Sequence, residues 1–215
     1  NASEGTLANC DQKAIYLCSG IWPFIMFPYK KERFSMQNSS TNRSNTLMLV
    51  EGGIMIAMAQ VLSYIKLFRM PYGGSVTMGS MVPLFIFAIR WGVGKGTIVG
   101  ALYGIVHYLL GSRGAPHPVS FILDYPVAYA CLGLAGIASK RSKDFKSIFS
   151  GIFLGTFFRF VTHVIAGLIF FKSTFPEDMN PLLYSIQYNG AFLGVDMIIA
   201  LVISWTLIKY GGHLF

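Results

Sequence analysis

The sequence predicts an all-α fold: an integral membrane protein of six transmembrane helices, with its amino and carboxyl termini on the cytoplasmic side. Three observations lead there. Of the 215 residues 53% are hydrophobic and only 12% charged, about half the charged share of an ordinary soluble domain. The apolar residues fall in repeated long runs, and mean hydropathy is +0.55, which points to several helices in a bilayer rather than one soluble core. Lys and Arg outnumber Asp and Glu by 17 to 9, but they sit mainly between the apolar runs, so membrane topology accounts for them and nucleic acid does not.

Residues 1–40 have no steady period, and the short run at 15–27 is broken by Gly20 and Pro23. They are expected to be a disordered tail or a translated leader, with residues 41–215 forming the membrane domain. Met36 opens MQNSSTNRSNTLMLVEGG, a natural polar start before a first helix. Cys10, Cys18 and Cys131 show no metal-ligand spacing, so no metal site is expected.

Segment one covers about residues 47–68. Its small residues Gly53, Ala57, Ala59 and Ser63 form two pairs at four-residue spacing, which lets another helix approach closely, either within the molecule or on a partner protein. The connection 69–80 is glycine-rich and suits tight turns. Segment two, about 80–89, is short for a span, because ten residues rise only about 15 Å as a helix. Segments three to six cover about 96–110, 119–138, 148–171 and 182–208. The loop at 111–118 is marked by its Gly and Pro content.

Lys140, Arg141, Lys143 and Lys146 crowd the connection between segments four and five, which places it on the cytoplasmic side. An even helix count puts both termini there as well. Helical rise then converts position into depth. Asp124 falls about 8 Å below the outer edge, His163 about 12 Å, Gly167 about 6 Å and Asn189 about 10 Å, with Tyr184 near the surface. Arg159, His163, Gly167 and Phe171 recur at every fourth position, so they lie along one face of segment five.

A carboxylate, an imidazole, a carboxamide, a glycine gap and several rings at one level make a small-ligand pocket. Asp124 accepts from an amine or amidine and offsets a cation, Asn189 donates and accepts, and Tyr125, Phe171 and Tyr184 can stack on a flat or cationic heterocycle. A planar, nitrogen-rich cation fits this set better than a sugar or a lipid. No catalytic constellation is present, and the chain is not expected to be an enzyme. Asp196, near mid-membrane, either carries a coupling proton, as a self-sufficient proton-coupled carrier would need, or bonds to a neighbouring Ser or Thr. His107 reads as an interhelical hydrogen bond.

Four motifs in order, YGGSVTMGSMVPLFIFAIRWGVGKG, HPVSFILDYPVAYACLGLAGI, FRFVTHVIAGLIFF and YSIQYN, resemble the thiamin-specific substrate-binding component (S component, ThiT family) of energy-coupling factor (ECF) transporters. The likeness runs from about Leu47 to the carboxyl terminus. It implies a six-helix subunit of the bacterial plasma membrane that binds thiamin tightly near the outer face and needs no cofactor. It also implies uptake together with a coupling transmembrane subunit and two ATPase subunits. The family's binding residues fall on Asp124, Tyr125, His163, Gly167, Tyr184 and Asn189, with Asp124 in place of a Glu found in some members. Phe171 stands where some members have Trp. Arg159, one turn below His163, is placed to meet a phosphate, and the small residues of segment one resemble the family's docking motif. The resemblance also bears on the leader: Asn1 to Gly5 can be written AAU GCC AGC GAA GGG, which looks like the tail of a thiamin-diphosphate riboswitch.

Overall fold

A computed structural model describes residues 33–70, 74–111, 117–140, 144–171 and 179–210. The chain divides into two compact units, Asn1–Ser44 and Asn45–Phe215. In the first unit the described residues, 33–44, are helical; the expectations for residues 1–32 lie outside the described residues. The second unit holds the helical bundle.

Helix α1 is Arg33–Tyr64. It begins before the expected start near residue 47, because the polar run ahead of the apolar one has weak helix formers but neither Gly nor Pro to break it. Its apolar part, Ser44–Tyr64, is long enough to cross a membrane. The end also differs from expectation. The chain leaves the helix at Ile65, and Lys66–Arg69 (β1) pairs antiparallel with Ser75–Thr77 (β2), with Lys66 opposite Thr77, Phe68 opposite Val76 and Arg69 opposite Ser75. The short run Ile65-Lys66-Leu67-Phe68 has no period long enough to separate strand from helix.

Helix α2, Val82–Trp91, is as short as expected, and Val82 to Ile89 are all buried. Gly92 separates it from α3, Val93–Leu110, with φ +88°, a conformation that side-chain-bearing residues rarely adopt. The fourth helix, α4, crosses as Pro118–Ala138 and changes its winding on the way. His117 caps it by accepting from the Val119 N–H at 3.2 Å, and Pro118–Ile122 is α-helical. Leu123–Val127 then widens to a π-turn around Pro126, which relieves the clash a proline ring makes with the preceding turn. From Cys131 to Lys140 the winding tightens to 3-10. Helices α5, Phe145–Phe170, and α6, Pro181–Tyr210, complete the bundle. Among the described residues, five helices are long and apolar enough to span and α2 is a shorter sixth. The result is a multi-pass, all-α membrane fold with one small hairpin among the described residues.

Helix α4 lies between α3 and α5, and glycines line both contacts. On α3, Gly96, Gly100 and Gly104 face the backbone of Gly133, Tyr129 and Tyr125; on α4, Gly133 and Gly136 return the contact to Thr97 and Val93. On α5, Gly151 and Gly155 sit against the backbone of Ala135 and Cys131 to Leu132. Small residues let helix axes approach so that dispersion between backbones replaces the hydrophobic drive that lipid does not supply. The outer side of α5 instead carries Phe145, Phe149, Phe153 and Phe157 in a stacked ladder with centroids 5.9 to 6.2 Å apart, all substantially exposed as a lipid-facing surface requires.

A Cβ added at Gly133 would overlap the α3 backbone, whereas one at Gly94 meets nothing within 4 Å. Gly133→Ala is expected to lower stability by about 1–3 kcal/mol. Gly94→Ala is expected to leave it unchanged or raise it slightly, since Ala is the better helix former. Thermal unfolding of both variants in detergent checks the contrast.

Candidate ligand-binding site

The π-turn of α4 directs Asp124 at α5. The Asp124 Oδ1 lies 2.9 Å from Nδ1 of His163, and its Oδ2 accepts from the Ser120 hydroxyl at 2.9 Å, one turn earlier on α4. The Asp124 and His163 side chains retain 15% and 14% of their surface open. Arg159 sits one turn below His163, and its Nε donates to the His163 Nε2 over a long 3.4 Å. Its guanidinium rests 4.0 Å above the Tyr129 ring and the residue is only 6% exposed. A buried cation stacked on an aromatic face has a favourable substitute for water.

A second polar set joins α5 to α6. The Asn189 Nδ2 donates to the Ser185 carbonyl at 2.9 Å and to its hydroxyl at 3.3 Å, and the Ser185 hydroxyl donates to the Val164 carbonyl at 3.3 Å. Gly167 provides the gap that admits these groups, because a Cβ there would come within 2.6 Å of the Ser185 Oγ and 3.8 Å of the Asn189 Nδ2. From the first set a line of rings runs along α6. Phe192 meets His163 edge-on at 6.3 Å and Tyr188 at 5.9 Å, and Tyr184 stacks on Tyr188 at 6.1 Å.

The hairpin is fastened along α6. The Gly74 N–H donates to the Tyr188 hydroxyl at 2.8 Å. The Thr77 N–H donates to the Asp196 Oδ1 at 2.9 Å, and the Thr77 and Ser80 hydroxyls pair at 2.7 Å. Asp196 is buried and bonds to Thr77 through its main chain, one of the two alternatives its position raised. An apolar crevice of about 320 Å³ lies between the hairpin and α6, with Phe192 as the wall it shares with the polar site.

The family described as "Thiamine transporter protein (Thia_YuaJ)" matches residues 49–215. The chain belongs to this thiamine transporter family. A relative named thiamine transporter ThiT from Bacillus subtilis (strain 168) is 35% identical over 175 residues, covering 75% of this chain and 91% of the relative. A thiamine transporter ThiT from Lacticaseibacillus paracasei is 27% identical over 188 residues, covering 79% and 90%. A solved structure of ThiT from Listeria monocytogenes superposes with a TM-score of 0.73 at 26% identity, covering 80% of this chain and 98% of that one. Like these bacterial members of the thiamine transporter family, the chain is a multi-pass protein of the plasma membrane.

In this family member, the structure brings Asp124, His163 and Arg159 into one chain of contacts and Gly167 and Asn189 into another. Tyr184 is half-buried in the ring ladder, and Phe171 is half-buried where α5 ends, its N–H bonded to the Gly167 carbonyl. Tyr125 turns to the other side of α4, 5.0 Å from Tyr108 and 6.3 Å from His107. His107 makes the expected interhelical bond, 3.2 Å from the Gln60 Oε1. The small residues of α1 split. Gly53 and Ala57 are exposed, while Ala59 and Ser63 are buried, with the Ala59 carbonyl accepting from Tyr103. Sequence reasoning missed Ser120, Ser185, Tyr188 and Phe192. Each of them is four residues from a residue singled out or from another of the set, and that spacing was the available signal.

Removing the Tyr188 hydroxyl (Tyr188→Phe) should speed hydrogen exchange at the Gly74 amide about tenfold, and Asp196→Ala should do so at Thr77, each with little effect at the other amide. Amide exchange followed by mass spectrometry with residue-level fragmentation reads both.

Proposed function

We propose that this chain is a thiamin-binding S component of an ECF-type importer, a transport subunit rather than an enzyme, which holds its ligand in a pocket open to the outer face. The observation that carries the reading is the Asp124 carboxylate, held by His163 and Ser120 yet partly open beside a ladder of aromatic rings. A carboxylate fixed in this way accepts from the amino group of an aminopyrimidine and offsets a cationic ring, and Tyr184 and Phe171 supply faces for stacking. Asn189 and Gly167 line the α5–α6 side, and Tyr125 borders the α3 side. The names of the relatives, thiamine transporter ThiT, support this ligand.

Energy comes from partners, a coupling membrane subunit and two ATPase subunits. Gly53 has nothing within 4 Å of an added Cβ, and with the exposed Ala57 it gives α1 an outward small-residue surface suited to close helix docking.

Titration with thiamin in detergent, followed by intrinsic fluorescence, should saturate at low concentration. Asp124→Ala should weaken binding roughly tenfold to a hundredfold, the range for hydrogen bonds to a charged group. Absence of any response from folded protein overturns the reading. Vesicles containing this chain alone should not accumulate thiamin under a pH gradient; accumulation would instead establish a self-sufficient carrier.

A further inference from the structure

We infer that Arg159 is a positioning residue of the ligand site: its buried guanidinium places the single proton of His163 on Nδ1, and that proton fixes the orientation of the Asp124 carboxylate. The inference rests on the reading of Asp124 as the ligand's acceptor. Its basis is hydrogen-bond polarity. An arginine Nε is always a donor, so the His163 Nε2 at 3.4 Å must accept. A neutral imidazole carries one N–H, which therefore sits on Nδ1, 2.9 Å from the Asp124 Oδ1. The other tautomer would set an N–H against an N–H at the arginine and a lone pair against a carboxylate oxygen at the aspartate. A protonated ring would keep the donor conflict at Arg159. Arg159 thus keeps Nε2 free of a proton while Asp124 draws the single proton to Nδ1, and the Ser120 hydroxyl holds the second carboxylate oxygen, so rotation about the Cβ–Cγ bond is arrested while each oxygen keeps capacity for one more donor.

Burial separates the roles. Asp124 and His163 are partly open, but Arg159 is 6% exposed, and its Nη1 is buried without a hydrogen-bond partner among the described residues. Its guanidinium meets the imidazole and, 4.0 Å away, the Tyr129 ring. A cation at this depth is costly without a counter-charge, and the neutral imidazole connects it to one, Asp124, two hydrogen bonds away. Arg159 and Asp124 in this way stabilise each other through His163 without touching, and the ligand meets only the far end of the chain.

The first test uses the wild-type protein without ligand. Labelling with 15N-histidine in detergent, with the His163 signals assigned by their loss in His163→Gln, should give a protonated Nδ1 and an unprotonated Nε2. A protonated Nε2 overturns the inference. This result stands whether or not thiamin is the ligand, so failure here is distinct from failure of the proposed function. The second test is Arg159→Met, which should let Nε2 take up a proton and weaken thiamin about tenfold, with Arg159→Lys restoring part of both. In an Asp124→Asn background the Met substitution should add little, because the two residues act through one path. A loss confined to thiamin phosphate, with thiamin itself bound normally, would show direct phosphate contact by Arg159 and overturn the positioning role.

Discussion

Close backbone approach between α4 and its neighbours is the constraint on which the rest of the structure depends. Lipid tails are as apolar as leucine, so helices in a bilayer gain little from hiding apolar side chains and associate through packing and hydrogen bonds. Glycines at every fourth position of α3, and their counterparts on α4 and α5, let α4 touch backbone on both sides. A helix gripped in this way has little freedom to slide or rotate, which matters because α4 carries the carboxylate at the centre of the proposed site.

The π-turn in α4 acts on that fixed frame. Pro126 cannot donate to the helix ladder, and the widened turn from Leu123 to Val127 accommodates it while sending Asp124 to α5 and Tyr125 to α3. Polar groups elsewhere in the bundle find partners of their own: Asp196 has the Thr77 amide, His107 has Gln60 and Asn189 has Ser185. Each pair ties one element to another or stiffens a turn, so the polar residues serve as fasteners in a bundle whose outer surface is apolar.

Much of this was legible in the sequence because bilayer helices are long, apolar and separated by recognisable turn residues. The bounds of α3, α5 and α6 fall within a few residues of expectation, and α2 is short because its run is short. Helical rise places the polar residues of α5 and α6 and brings His163 near the level of Asp124, in agreement with their 2.9 Å contact. The hairpin was not legible. Ile65-Lys66-Leu67-Phe68 suits either conformation, and only pairing with Ser75–Thr77 makes Lys66–Arg69 a strand. Nor was the division between Asp124 and Tyr125: their adjacency suggested one shared pocket wall, and the π-turn that points them to different helices arises from a proline whose effect on direction depends on how its neighbours pack. Ser120 and Ser185 went unnoticed because serine in a membrane helix is common, and only its partner shows which serines hold a functional group.

Helix α6 carries Ser185, Tyr188, Asn189, Phe192 and Asp196 within about three turns. The first four belong to the proposed site or its ring ladder, while Tyr188 and Asp196 hold the hairpin. Pocket wall and hairpin are therefore mounted on a common shaft. A small roll of α6 about its axis would shift the carboxamide, the rings and the strap in step, so the grip on a ligand and the seating of the hairpin are geared together by one rigid part.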